Sequence, residues 1–144
     1  MTVINRSALV PFSAESMFDL VDDIEAYPLF LPWCKSTTVF LREGSDVEAA
    51  IEMSKAGINK SFTTRNISHD KVAIEMRLVE GPFQSLEGRW SFQTLNASAS
   101  KISLDIEFEF SNKLLSMSIG PVFSQICNSL VNAFVSRAQE VYGR

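Results

Sequence analysis

The chain has 144 residues, of which 46% are hydrophobic and 21% charged, with a net charge of −4 at pH 7. That length suffices for one domain, residues 1–144, whose core needs no metal or disulfide staple. The acidic balance excludes broad binding to nucleic-acid backbone, DNA included, and leaves open only a local basic patch.

Thr2–Val10 is rich in β-branched residues and reads as a first strand, stopped by Pro11. Ser13 is placed to cap a short helix, with Glu15 in its first turn and an apolar face of Met17, Phe18, Leu20, Val21 and Ile24. The tract Tyr27–Cys34 follows, with no charge, two prolines and three aromatic rings. Each proline fixes φ, lacks an N–H and pushes its predecessor out of the helical region, so neither a regular helix nor a central strand fits. The tract is too short to span a bilayer. It reads as a stiff apolar connection whose side chains need a partner: the core, a ligand cavity or a membrane surface.

From Ser36 to Phe110 the pattern has period two, punctuated by turns at Gly44-Ser45, Ala56-Gly57, His69-Asp70 and Gly81-Pro82. Val47, Ala49, Ile51 and Met53 share one face of their strand. Ile74 and Met76 do so on another, and Trp90 and Phe92 on a third. The cleanest alternation sets Ile102, Leu104, Ile106, Phe108 and Phe110 against Ser103, Asp105, Glu107 and Glu109. Such strands make an antiparallel sheet with one wet face. After Asn112 the period changes. Phe123, Ile126, Cys127, Leu130, Phe134, Ala138 and Val141 mark an amphipathic helix, expected to start at Pro121 and end by Gly143. Leu114, Leu115, Met117 and Ile119 form a separate apolar stretch that suits a flap, an interfacial contact or the first turns of that helix.

The predicted fold is therefore α+β: a curved seven-stranded antiparallel sheet around one long C-terminal helix, with a short helix after the first strand. A single helix cannot cover such a sheet completely, which leaves a space between them. The N-terminus lacks an export signal and no window was expected to approach a transmembrane span, so the expected location is the cytoplasm, with peripheral contact at the inner face of a membrane left open.

Tyr27-Pro28-Leu29-Phe30-Leu31-Pro32-Trp33-Cys34, Gly81-Pro82-Phe83, Leu86-Glu87-Gly88-Arg89-Trp90-Ser91-Phe92, Phe108-Glu109-Phe110 and Phe134-Val135-Ser136-Arg137-Ala138 together resemble the coenzyme Q-binding START-like family. The resemblance spans nearly the whole chain. It implies a helix-grip fold around an apolar tunnel and two activities. One is binding ubiquinone or a related polyisoprenoid lipid in support of respiration; the other, in ribosome-association toxins of the family, is binding the large ribosomal subunit and blocking subunit joining.

The expected ligand contacts are a lip of Phe30, Leu31, Trp33 and Phe83 and a tunnel wall of Met53, Met76, Trp90, Ile106, Phe108, Phe123, Ile126 and Leu130. Each also has a plain reading as core packing. Lys55, Lys60 and Arg65 give a local basic excess that could touch phosphates of ribosomal RNA or lipid, or simply protect a sheet edge. Catalysis finds no candidates. His69 is the single histidine, Cys34 and Cys127 have no base partner or metal-ligand spacing, and Asp105, Glu107 and Glu109 read as a solvated face. An aromatase or cyclase-like enzyme rests on fold analogy alone.

Overall fold

A computed structural model describes residues 1–143. β1 (Thr2–Val10) leads into α1 (Ala14–Asp22), a 3-10 turn (Ile24–Leu29) and β2 (Cys34–Glu43). β3 (Asp46–Lys55), β4 (Ile58–His69), β5 (Ala73–Glu80), β6 (Phe83–Asn96), β7 (Ala99–Phe110) and α2 (Lys113–Tyr142) complete the chain. The strands form one antiparallel sheet in the order β1-β7-β6-β5-β4-β3-β2, so five hairpins run in sequence and the first strand closes on the last. Tight reversals permit this. Ala56 and Gly57 both take positive φ, 54° and 79°, a turn whose twist matches that of paired strands.

Parity decides what each strand buries. Ile102, Leu104, Ile106, Phe108 and Phe110 of β7 are all buried, as are Trp90 and Phe92 of β6. Their neighbours form a charged outer face. Register sets Arg65 opposite Arg77, Arg77 opposite Glu87, and Glu87 opposite Glu107. Arg77 pairs with Glu87 at 3.3 Å and Arg89 with Glu75 at 2.7 Å.

α2 begins eight residues earlier than its sequence pattern predicts. Asn112 caps it, its Oδ1 accepting from Leu115 N at 2.9 Å, and Pro121 lies inside the helix instead of opening it. The stretch 114–119 is thus the first two turns of the core helix. At about 1.5 Å per residue α2 is on the order of 45 Å long. By length and composition it could cross a bilayer, contrary to the expectation that no window approaches a span. In the fold one stripe, including Ile119, Phe123, Ile126, Val131 and Phe134, is buried against the sheet. Val131 is more deeply buried than Leu130, and Val141 is exposed.

Candidate functional site

The first residues of the tract form the end of the 3-10 turn, which agrees with a stiff connection that is neither a regular helix nor a central strand. The turn's i to i+3 pattern tolerates Pro28, and Phe30 N and Leu31 N both donate to Tyr27 O, at 3.2 and 3.0 Å. Cys34 N then donates to Leu31 O at 3.0 Å, and Ser54 N to Trp33 O at 2.8 Å. The backbone of the tract is therefore pinned at both ends to the fold. Inside it, the Tyr27 hydroxyl donates to Val21 O, and Phe30 packs edge-on to Tyr27 and Phe134.

Between α2 and the concave face lies an enclosed cavity of about 70 Å³. Its wall includes seven of the twelve expected ligand contacts: Trp33, Met76, Trp90, Ile106, Phe123, Ile126 and Leu130. Gly88 helps to shape it. A Cβ there would lie 2.5 Å from Met76 Cε and 3.5 Å from Ile106 Cγ1, so its absence lets the Met76 methyl cross the sheet surface. Among the described residues no carboxylate, lysine, arginine or histidine lines the cavity. Its polar spot is Thr64, 6% exposed, whose hydroxyl donates to Asn66 Oδ1 at 2.9 Å. Sequence reasoning missed both residues. The signal was present: Phe62, Thr64 and Asn66 fall on the even positions of β4, the parity that faces inward.

The other expected contacts lie elsewhere. Phe83 is not a lip: its ring stacks on Phe110 at 4.8 Å and packs against Phe123 at 5.0 Å. Phe108 stands edge-on to Phe123 at 4.8 Å, and Phe62 joins the same cluster. These five rings, Phe62, Phe83, Phe108, Phe110 and Phe123, plug the end of the sheet–helix space near Pro82. Met53 and Leu31 are buried outside the cavity wall, and Phe30 lies behind Tyr27 and Phe134. Pro28, Leu29 and Pro32 are the tract's exposed residues.

Trp33 has a second neighbour. Its ring also lines an outer groove of about 390 Å³, walled by Leu31 and Pro32, by Ser54 and Lys55 at the end of β3, and by Ser129, Asn132, Ala133 and Ser136 of α2.

The three basic candidates do not form one patch. Arg65 sits on the outer face and reaches Asp46 Oδ2 at 3.2 Å and Glu48 Oε1 at 3.9 Å, so its charge is largely met. Lys55 and Lys60 flank the β3–β4 turn, with Lys60 exposed opposite Met53. Burial pushes the Cys34 thiol up to about 11 and the Cys127 thiol up to about 12, which keeps both protonated at neutral pH. His69 Nε2 lies 3.5 Å from Glu75 Oε2 on the surface, away from the cavity. Among the described residues no cluster of three His, Cys, Asp or Glu side chains could hold a metal ion.

A curved antiparallel sheet gripping one long helix, with an apolar cavity between them, defines the helix-grip class. The aromatase/cyclase Zhui of Streptomyces sp. R1128 shares this architecture, with a TM-score of 0.86 at 14% identity over 99% of this chain and 97% of that one. The model of the polyketide cyclase/dehydrase and lipid transport family matches residues 10–135, and the chain belongs to that family. Within it the chain is 46% identical over 143 residues to the ribosome association toxin RatA of Vibrio cholerae, covering 99% of each. It is 26% identical over 144 residues to the mitochondrial coenzyme Q-binding protein COQ10 homolog B of Xenopus laevis, covering 97% of this chain and 59% of that one.

Proposed function

We propose that this protein is a ribosome-association factor of the RatA type, which docks on the large ribosomal subunit and blocks subunit joining without catalysis. The observation that carries this reading is the 46% identity to a ribosome association toxin along the full length of both chains, against 26% to the coenzyme Q-binding homologue. The protonated thiols and the lack of any charged group in the cavity wall fit a binding role. Of the three basic candidates, Lys55 and Lys60, beside the β3–β4 turn, are in no ion pair among the described residues, whereas Arg65 is already paired. Co-sedimentation with purified large subunits tests this. Association should weaken steeply with salt and fall at least tenfold in the double variant Lys55→Glu, Lys60→Glu. Association that ignores both changes, or none at low salt, removes the reading.

A second reading, an apolar lipid such as ubiquinone held between sheet and helix, is favoured by the mostly apolar cavity and the polar spot at Thr64 and Asn66. As it stands the cavity is small, about 70 Å³. A quinone with an isoprenoid tail needs several times that, so its entry requires the wall to move. Burial of the tail would supply roughly 25 cal/mol per Å². Organic extraction with mass spectrometry, together with a rise in thermal stability on adding quinone, tests it. Failure of both counts against it.

A further inference from the structure

We propose that the outer groove beside Trp33 is the entry and head-group subsite for a single-chain amphiphile with an anionic head, whose chain passes Trp33 into the internal cavity. This rests on the second reading, that the cavity takes an apolar chain.

Three observations converge on it. First, Trp33 is shared: it lines both the internal cavity and the outer groove, so the two spaces meet at this one residue. The end of the sheet–helix space near Pro82 is blocked far more heavily, by the five-phenylalanine cluster. Second, the backbone on either side of Trp33 is fixed, by Cys34 N to Leu31 O and by Ser54 N to Trp33 O. Access at this point therefore turns on the Trp33 side chain and not on opening of the tract's backbone, while the cavity wall behind it yields to take the chain. Such side-chain motion is fast and leaves the sheet intact. Third, the groove's chemistry is graded. Leu31, Pro32 and Trp33 make an apolar floor, while Lys55 stands at the rim beside Ser129, Asn132 and Ser136. Lys55 has no carboxylate within ion-pair distance among the described residues. A free ammonium with hydroxyl and amide groups beside an apolar floor complements an anionic head on a hydrocarbon chain.

The test uses a terminally brominated fatty acid and the matching brominated alcohol as probes, with quenching of tryptophan fluorescence as the readout. Trp33→Ala leaves Trp90 as the reporter inside the cavity. The door role predicts that Trp90 is quenched in this variant and that probe association and dissociation are both at least fivefold faster than in the unaltered protein. Lys55→Glu should weaken the acid at least tenfold and leave the alcohol unchanged. Ala133→Phe, which fills the groove, should slow entry of both probes at least tenfold. Quenching of Trp90 with unaltered rates and affinities in Lys55→Glu and Ala133→Phe overturns the groove assignment while the cavity reading stands. No quenching of either tryptophan overturns both. Loss of ribosome co-sedimentation in Ala133→Phe, with probe binding intact, overturns the assignment in favour of a macromolecular contact. Lys55 lies at the surface, so its variant tests the subsite even if a groove-filling side chain fails to fold.

Discussion

The guanidinium of Arg137 lies 5.1 Å from the centroid of the Phe30 ring, which in turn stands edge-on to Phe134 at 5.3 Å. The pair fastens the aromatic tract to α2 from its outer side. Arg137 also reaches Glu140 at 3.5 Å, and its side chain is only 22% exposed. A partly desolvated cation over a ring contributes about 0.5–2 kcal/mol. Arg137→Ala is expected to destabilise the fold by about 1–2 kcal/mol, and Arg137→Lys by less, on the same grounds. A double-mutant cycle with Phe30→Leu, read by urea unfolding, should give a coupling of at least about 0.5 kcal/mol. Additive effects would mean that the contact contributes nothing.

Phe83 should behave as a core residue and not as a lip. Phe83→Ala removes a ring from a packed cluster and should cost about 3–5 kcal/mol. A ring at a cavity lip would cost well under half of that. Equilibrium unfolding of the variant decides between the two positions.

Alkaline stability follows from the buried acids. In the unfolded chain a thiol titrates at roughly 8.5, whereas burial holds Cys127 near 12 and Cys34 near 11 in the fold. Tyr27 is raised as well, chiefly by burial. Between the unfolded and folded values the unfolded chain has released protons that the fold retains. Stability is therefore fully present below about pH 8 and falls as pH rises through these folded values. Chemical unfolding from pH 7 to pH 11 should show this decline, and Cys127→Ala should flatten it. An unchanged slope in that variant would assign the decline to other groups.

At the β3–β4 turn, Ala56 holds φ at 54°, where an L side chain is disfavoured. Ala56→Gly relieves the strain but loosens the unfolded chain, and the net expectation is a gain of about 0.5–1 kcal/mol. A melting temperature that stays level or falls would show the turn to be unstrained.

Pro121 costs α2 a hydrogen bond that Met117 O would otherwise accept. Met117 is exposed, so water can satisfy that carbonyl. Pro121→Ala should stabilise the protein by about 1–3 kcal/mol. Loss of stability instead would mean that α2 is shaped around the ring.

The sheet was legible because period two repeats strand after strand, and β7 alone nearly fixes which face is dry. The start of α2 was not. Proline suits both a first turn and a tolerated interior site, and only packing of Leu115 and Ile119 on the sheet distinguishes them. The cavity wall was partly legible. Trp90, Ile106, Phe123 and Ile126 follow from parity and helical period, but whether Phe83 faces outward or folds inward depends on rings from β4, β7 and α2 together. Arg65 looked free because its partners, Asp46 and Glu48, are set by strand register rather than by sequence distance. The size of the cavity depends on how rotamers fill it, which no linear pattern encodes.

The outer face of the sheet bears on approach to a partner. Glu87 faces Glu107 across β6 and β7, and Asp105 lies beside them, while Arg77 and Arg89 are already paired with Glu87 and Glu75. Lys55 and Lys60 flank the β3–β4 turn, and β5 lies between that hairpin and β6. The molecule thus has an electrical polarity, and a polyanion exerts a torque on it before contact. Encounters led by the sheet are repelled and those led by the hairpin are drawn in, so added salt acts mainly on how fast a complex forms and less on how long it lasts.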